Sequence, residues 1–448
     1  MATLAATSRQ DKQLLVCWYM KATEARLRRC SAALLSLGQL AAFDDAAASL
    51  RERQESCVRA TRDVVLPSVV WRPYLHLSSD GTGLVLGNRA AYGPRAPVEP
   101  TGPRFAGYLI EPDGAVIRIP PPPGGRFHAL PRGVRDRSGV LHVVWAEAAP
   151  APRSDWTSPY DDTPLQFSSL EYASYSPITR RWSTPRTIIR GVLVDWRTGG
   201  TLIGGRGDDL LAVAVPLTDE ANQPTLQILR LGVRGVWRKA QMFSGRFVAY
   251  AAAAYLGSQS LVVAAVVDSL NYGPHLVVRT MGAGDRARDG ALTQTQGADE
   301  SVAGVRGQIT APVLLGLSDT LFAVWRQGTE IRFSRSNKHG SAWQPQASVG
   351  SARLGGSIIA ASACGTVVVL ADDSGPRWPT IVQTTFTGGS WRAKPAVDSA
   401  LGAHAAGAAG GALGIATVWT ELSMNANTRE ILQAKTVVRL PLAKKGSP

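Results

Sequence analysis

Carboxylates and aromatic side chains cluster in a few short stretches that directly follow apolar runs. The longest stretch, residues 147–166, carries four carboxylates, one tryptophan and one tyrosine. Aromatic plates beside carboxylates suit sugar-ring stacking and hydrogen bonds to sugar hydroxyls, or the recognition of a cationic group. The candidate ligand-binding residues are Glu147, Asp155, Trp156, Tyr160, Asp161, Asp162, Asp268, Tyr272, Asp372, Asp373, Trp378 and Glu421.

Some of these carboxylates could also perform acid–base chemistry. Glycoside hydrolysis uses two carboxyl groups roughly 5 to 9 Å apart. The chain offers adjacent pairs of this kind, and the candidate catalytic residues are Asp161, Asp162, Asp372, Asp373, Glu421 and Arg118. Turns also favour aspartate and asparagine for backbone reasons, so a purely structural role stays open for each single residue.

The charge of the whole chain is opposite in sign to that of these stretches. The chain has 48 Lys and Arg against 34 Asp and Glu, a net charge of +14 and a pI near 10.0. The basic residues are scattered, which is typical of a solvated surface or of non-specific attraction to anionic polymers. The sequence has no specific nucleic-acid motif, no metal-ligand spacing among its histidines and no nucleotide motif, so it predicts no metal and no cofactor.

A short apolar strand recurs along the chain and would position the acidic stretches. It occurs seven times, at intervals of about 45 to 70 residues, and a Gly-, Asp- or Ser-containing turn precedes each copy. Runs that are apolar on both faces suit strands buried between stacked sheets. A polar stretch and an alternating third strand follow each copy. The seven runs are residues 83–86, 141–145, 211–215, 261–267, 321–325, 366–370 and 413–419.

Four antiparallel strands repeated in this way predict an all-β fold, a β-propeller of six or seven four-stranded blades with seven favoured. The loops between second and third strands then share one end of the ring, and the candidate residues lie there. Trp145, Trp325 and Trp419 occupy matching positions and are expected to plug the core between blades. A strand near Ser68–Leu77 is expected to complete the last blade and close the ring.

The third strand, turn and tryptophan of each unit resemble the Asp-box (BNR) repeat of sialidase-like propellers, S-x-D-x-G-x-x-W. The segment from Ser336 to Trp343 keeps the serine, glycine and tryptophan, with Lys338 in place of the aspartate. Arg118-Ile119-Pro120 is similar to the early R-I-P motif of that family, although a run of prolines follows it here. The resemblance implies a propeller fold and action on glycans. The tyrosine nucleophile and glutamate partner of sialidases have no counterpart that can be placed in the later blades.

Residues 1–65 have a different composition and predict an α-helical hairpin. No proline occurs from Arg9 to Arg62, and alanine, leucine, arginine and glutamate dominate, which favours helix. With a turn near residue 43 and the second helix continuing through Val64, Cys30 and Cys57 could meet, either as a disulfide or as two buried thiols. The predicted domains are the hairpin at 1–65, the propeller at 66–440 and a disordered basic tail at 441–448.

No apolar run reaches the roughly 18 residues that a membrane span needs. The first ten residues lack the layout of a signal peptide, so the chain as written is expected to be cytoplasmic. A true start near Met20 would make it extracellular.

These observations favour a non-catalytic ligand-binding propeller that recognises a glycan or a protein through the loops between second and third strands. The alternative is a divergent sialidase-like glycoside hydrolase or lyase that uses the same carboxylates. A third hypothesis is a structural subunit of a larger assembly, docked through residues 10–62. The insertion at residues 148–166 is the loop most expected to contact a ligand, because it is the longest and the richest in aromatic and acidic residues.

Overall fold

The computed structural model describes the chain from residue 61 to residue 442, with gaps. The described residues are 61–89, 104–124, 128–148, 167–193, 200–206, 208–219, 221, 223–242, 247–256, 260–269, 273–281, 300–301, 309–317, 320–337, 342–351, 358–374, 379–387, 389–395, 402–424 and 431–442. They form 30 β-strands and no helix. Residues 1–60 of the predicted helical hairpin, with the Cys30–Cys57 pairing, lie outside the described residues. Residues 61–65, predicted as the end of its second helix, form a β-strand instead.

Strand β1 (Thr61–Val65) belongs to the last blade, and the first three blades follow it in the chain. Blade 1 comprises β2 (Val70–Leu77), β3 (Gly83–Arg89), β4 (Arg104–Ile110) and β5 (Val116–Ile119). Blade 2 comprises β6 (His128–Arg135), β7 (Leu141–Ala148), β8 (Phe167–Ser176) and β9 (Arg181–Trp182), with an added strand β10 (Arg186–Leu193). Blade 3 comprises β11 (Thr201–Gly204), β12 (Asp209–Thr218), β13 (Pro224–Gly232) and β14 (Trp237–Met242).

The other four blades repeat the pattern. Blade 4 comprises β15 (Phe247–Leu256), β16 (Ser260–Ser269), β17 (Gly273–Met281) and β18 (Glu300–Ser301). Blade 5 comprises β19 (Ile309–Leu317), β20 (Thr320–Gln327), β21 (Glu330–Asn337) and β22 (Ala342–Trp343), with β23 (Ala347–Ser351) also paired to β21. Blade 6 comprises β24 (Ile358–Ala363), β25 (Thr366–Ser374), β26 (Pro379–Thr387) and β27 (Ser390–Pro395). Blade 7 comprises β28 (Gly402–Gly411), β29 (Gly414–Met424), β30 (Ile431–Pro441) and, outermost, β1.

The blades form a closed ring. Each first strand contacts the first strand of the next blade, in the order β2, β6, β11, β15, β19, β24, β28 and back to β2. The prediction of a seven-bladed all-β propeller is therefore confirmed. In every blade the second strand ends and the third strand begins at the same end of the ring, which we call the loop face. The opposite end carries the tight turns between first and second strands, and we call it the turn face.

The ring closes through a different strand from the one expected. Strand β1 pairs with β30 in antiparallel register, with Val64 opposite Val438. The Arg439 guanidinium donates from Nε and Nη2 to the two carboxylate oxygens of Asp63, at 2.7 and 2.8 Å. Val70–Leu77, which was expected to close the ring, is the inner strand of blade 1. The propeller thus begins before the predicted boundary at residue 66, and β30 extends it to Pro441.

Tryptophans seal three blade interfaces, as the sequence predicted. Trp145, Trp325 and Trp419 are 2%, 0% and 3% exposed. Trp145 packs between blades 1 and 2, Trp325 between blades 4 and 5, and Trp419 between blades 6 and 7. These side chains are structural and do not offer their rings to a ligand.

Side chains of β2 fill part of the centre of the ring. The Tyr74 hydroxyl donates to the Leu202 carbonyl of blade 3 at 3.1 Å. His76 lies beside Gly204, which belongs to β11 of blade 3, as Leu202 does. Burial lowers the pKa of His76 to about 4; a hydrogen bond with the Arg135 backbone opposes this effect, and the Arg135 guanidinium adds to it. His76 is therefore neutral in the folded protein at neutral pH.

We expect the stability of the propeller to fall when the pH drops from neutral towards 4. The unfolded chain binds a proton at His76 near its usual pKa of 6.5, whereas the folded chain does not until about pH 4. The free energy of unfolding, measured with urea, should decrease by about 1 to 2 kcal/mol between pH 7 and pH 5 through this residue. His76→Gln should remove that part of the decrease. An unchanged slope in His76→Gln would assign the pH dependence to other groups, such as His128, whose pKa burial also lowers.

Candidate functional site

Second strands of five of the seven blades end in carboxylates at the loop face. In blades 1 and 5 the corresponding residues are Arg89 and Gln327. Each second strand is apolar where it crosses the core and becomes polar at this end, where it reaches solvent. The carboxylates, which we call the acidic rim, are Glu147 in blade 2, Asp219 in blade 3, Asp268 in blade 4, Asp372 and Asp373 in blade 6, and Glu421 in blade 7.

The structure places some of the predicted site residues and not others. Asp268 lies in β16, and Asp372 and Asp373 lie in β25. Glu147 lies in β7 and Glu421 lies in β29, and the structure describes both side chains. The remaining ligand-binding candidates lie outside the described residues, and these are Asp155, Trp156, Tyr160, Asp161, Asp162, Tyr272 and Trp378.

In blade 7, Glu421 is held by two neighbours. Its Oε1 accepts a hydrogen bond from Trp419 Nε1 at 3.0 Å, and its Oε2 lies 2.8 Å from Lys435 Nζ. The Arg439 guanidinium stacks over the Trp419 ring at 4.9 Å. Glu421 is thus a fixed, cation-paired acceptor, which suits it for positioning a ligand better than for transferring a proton.

In blade 2 the corresponding residue, Glu147, has a second carboxylate beside it. Glu147 lies opposite Ser169 in β8, and Glu171 lies opposite Trp145. The Ser169 hydroxyl donates to Glu171 Oε1 at 3.0 Å. Burial raises the pKa of Glu147, and the charge of Glu171 raises it further. We call Glu147 and Glu171 the blade 2 carboxylate pair. A protonated carboxyl beside a second carboxylate can donate a proton or hydrogen-bond to a hydroxyl.

His128 and Trp145 present unused polar atoms next to this pair. His128 lies opposite Glu147 in the sheet, and its ring centroid is 5.2 Å from that of Trp145. Its Nε2 and Trp145 Nε1 are buried and have no hydrogen-bond partner among the described residues. Burial lowers the pKa of His128, against a hydrogen bond with the Gly124 backbone, so the ring is neutral at pH 7. The seam between blades 1 and 2 therefore combines acids with a neutral imidazole.

Sequence reasoning missed His128, Ser169 and Glu171. Glu147 was found because it follows an obvious apolar strand. Its partners come from first and third strands, and only the strand register brings them together. A repeated Trp-x-Glu or Trp-x-Gln pattern was a usable signal, since it occurs at Trp145, Trp325 and Trp419.

Bulges in the inner strands also went unnoticed. The ladders of β2, β6 and β19 are interrupted next to Pro73, Pro131 and Pro312, because proline cannot donate to a ladder. Arg72 and Leu130 precede two of these prolines and have φ of +49°. The Asn88 side chain secures one bulge, donating to the His128 carbonyl at 2.7 Å and accepting from Leu130 N at 2.8 Å. Bulges re-aim neighbouring side chains, here at the loop-face end of the inner strands.

Arg118 is not brought to the acidic rim. It lies exposed on β5, the outermost strand of blade 1, opposite Tyr108. The structure separates it from the second strands by β4. A role in holding a substrate carboxylate, as the R-I-P resemblance implied, has no supporting neighbour among the described residues.

On the turn face, His142, Tyr172 and Asp136 form a chain of hydrogen bonds that has a structural role. His142 lies 2.9 Å through Nδ1 from the Tyr172 hydroxyl and 3.0 Å through Nε2 from Asp136 Oδ2. Asp136 also accepts from the hydroxyl of Ser138 and the amide of Val140, which shapes the turn between β6 and β7. Tyr172 is 6% exposed and burial raises its pKa, so it cannot act as a nucleophile towards a ligand in solution.

Among the described residues, no group of three or more His, Cys, Asp or Glu side chains is arranged to hold a metal ion. Within the same residues there is also no helix with the length and apolar character of a membrane span.

No family model and no curated protein matches the sequence. Among solved structures, a protein of unknown function from Dyadobacter fermentans aligns with 86% of this chain and 98% of its own, at 12% identity and a TM-score of 0.43. A Penicillium chrysogenum α-L-arabinanase aligns with 70% of this chain and 93% of its own, at 12% identity and a TM-score of 0.42. A Hadza microbial sialidase aligns with 72% of this chain and 65% of its own, at 14% identity and a TM-score of 0.43. These similarities are too distant to carry a functional argument, and the propeller architecture rests on the sheets themselves.

Proposed function

We propose that this protein is a non-catalytic β-propeller that binds a glycan or a protein through its loop face. The acidic rim is the observation that carries the proposal. Second strands of five blades end in carboxylates on this face, in a chain whose net charge is +14. Carboxylates spread around a ring offer several separate contacts to one extended ligand, whereas hydrolysis needs two of them at a single bond.

The surroundings of two rim residues support binding. Glu421 is fixed by Trp419 and Lys435. Asp219 Oδ1 accepts from the amides of Ala221 and Gln223 at 3.0 and 2.9 Å. These contacts hold each carboxylate in one orientation, as preorganised recognition requires.

The second candidate function is a glycoside hydrolase or lyase centred on blade 2. The carboxylate pair favours it, because the raised pKa of Glu147 beside Glu171 fits a general acid with a second carboxylate. The buried, unpaired Nε2 of His128 adds a further polar atom at the same seam.

A glycan array combined with a panel of fluorogenic glycosides tests both candidates on the full chain. We expect array binding without turnover. The double variants Asp372→Asn/Asp373→Asn and Asp161→Asn/Asp162→Asn should weaken binding at least tenfold, since each removes two of the carboxylates that the sequence predicts for ligand binding. Asp208→Asn is the matched control, because Asp208 is an exposed carboxylate on the turn face.

Two results would overturn this assignment. Turnover that is lost in Glu147→Gln and retained in Asp208→Asn would make the protein a glycosidase that uses the blade 2 pair. Absence of both binding and turnover, for glycans and for protein partners in a pull-down, would favour a structural subunit docked through residues 10–62.

A further inference from the structure

A groove of about 670 Å³ lies between blades 2 and 3. It starts beside Asp219 of the acidic rim and continues along β10, away from the centre of the ring. Its lining includes Thr187, Ile189, Arg190, Leu217, Gln227 and Lys239. Its volume falls in the range of about 300 to 1,000 Å³ that is typical of small-ligand sites.

The groove exists because β10 leaves blade 2 and joins blade 3. Strand β10 pairs with β8 along most of its length, and then Val192 and Leu193 pair with β12. Gly191 lies at the crossing with φ of +138°, and a Cβ there would stand 2.6 Å from the Thr218 carbonyl oxygen. Only glycine allows this approach, which joins the two blades beside the groove-lining Arg190 and Leu217.

Arg186, next to the lining residue Thr187, bridges blades 2 and 3. Its Nη2 donates to the Gly235 carbonyl of blade 3 at 3.3 Å, and its guanidinium lies 5.1 Å from the centroid of the Tyr172 ring. Tyr172 in turn meets Trp237 edge-on, with ring centroids 5.3 Å apart. Arg186 thus joins β10 to blade 3 at a second point, and the volume of the groove suits a compact ligand.

The floor of the groove is apolar and its walls are cationic. Ile189 and Leu217 are 6% and 1% exposed. Arg190 and Lys239 are exposed, face the groove from blades 2 and 3, and form no ion pair with any described residue. The carboxylate of Asp219 is engaged by backbone amides. The described lining therefore carries two cations, Arg190 and Lys239, against the single carboxylate of Asp219, an excess of positive charge.

We propose that this groove binds one anionic sugar residue, bearing a carboxylate or a sulfate. Arg190 and Lys239 pair with the anionic group, and the Arg190 guanidinium matches a planar carboxylate or a sulfate edge. The amide of Gln227 and the hydroxyl of Thr187 bond the ring hydroxyls. The apolar floor accepts a C–H face of the ring. Nucleic acid fits poorly, because the described lining residues include no aromatic ring for base stacking.

Titration calorimetry of the full chain tests the proposal with trigalacturonate, a sulfated glucosamine disaccharide and neutral cellotriose. We expect binding of at least one anionic probe, weakened several-fold by 0.5 M NaCl, and no binding of cellotriose. Arg190→Gln and Lys239→Gln should each reduce affinity at least tenfold. Arg392→Gln, which removes one exposed arginine from blade 6, should leave the affinity within twofold of the wild type.

The outcomes distinguish a sugar carboxylate from a sugar sulfate as the ligand group. They also distinguish binding in the groove from binding at the blade 2 carboxylates. Binding of trigalacturonate alone assigns a uronate, and binding of the sulfated probe alone assigns a sulfated sugar. No binding of either probe overturns the proposal, as does an equal loss in Arg392→Gln, which would indicate non-specific attraction to a basic surface. Glu147→Gln should leave groove binding unchanged, so a failure of the blade 2 carboxylates to bind a ligand does not affect this result.

Discussion

Asp209→Ala is expected to destabilise the protein by about 3 to 5 kcal/mol, the cost of leaving a buried charge without its partner. Asp209 is 5% exposed and begins β12 of blade 3. Its Oδ2 accepts from Arg230 Nε at 2.6 Å and from the Tyr255 hydroxyl of blade 4 at 2.9 Å. Its Oδ1 pairs with Arg238. One carboxylate therefore connects two arginines and two blades.

The arrangement of the arginines makes the loss severe. Arg230 and Arg238 are directly opposite each other in β13 and β14, where like charges destabilise a strand pair. Arg230 is itself only 5% exposed. Without Asp209, a buried guanidinium would face a second one with no carboxylate between them. Tyr255, whose pKa is raised first by burial and then by Asp209, would also lose its acceptor.

Urea unfolding of the variant and of two references measures this effect. Tyr255→Phe should cost about 1 kcal/mol, because it removes one hydrogen bond and leaves the ion pairs. Asp63→Ala is the matched exposed case: Asp63 also binds one arginine through both oxygens, but it is 46% exposed and its partner 35%. Asp63→Ala should lower the free energy of unfolding by about 0 to 1 kcal/mol. Similar losses in Asp209→Ala and Asp63→Ala would show that the buried network contributes little.

The ring of second strands could be predicted because each of these strands is apolar on both faces and follows a turn residue. Burial on both faces leaves a continuous apolar run, which is visible in a single sequence. Strand β1 gives no such signal, because only Val64 of its five residues is buried. Its partner β30 lies more than 360 residues away, so no local pattern indicates the pairing.

Residues of the candidate site could be predicted only where they follow these second strands. The rim residues continue an obvious run, so Glu147 and Glu421 were identified. The different surroundings of Glu147 and Glu421 could not be predicted. Their neighbours Glu171 and Lys435 come from third strands, whose register depends on loops of different length. The groove between blades 2 and 3 depends on β10, a strand that the four-stranded repeat does not contain.

Trp325→Ala is expected to cost about 3 to 5 kcal/mol, as is usual for a large aromatic side chain removed from a packed core. Trp325 is 0% exposed and packs between blades 4 and 5. The facing strand β15 provides small residues, Ala252 and Ala254, which leave room for the indole ring. Truncation would leave a cavity between two sheets, and neither sheet can move inwards without breaking its contact with the next blade.

Two further variants make the measurement of Trp325→Ala decisive. Trp325→Phe should cost less than half as much, because it keeps most of the apolar volume and removes Nε1, which has no hydrogen-bond partner among the described residues. Trp343→Ala is the matched control, since Trp343 touches the same cluster from the blade edge and is only partly buried; it should cost about 1 to 2 kcal/mol. A loss no larger for Trp325→Ala than for Trp343→Ala, in urea midpoint or in melting temperature, would mean that the blade interface relaxes to fill the cavity. Such a result would contradict the assignment of Trp325, and by the same geometry Trp145 and Trp419, as rigid plugs that hold the ring in register.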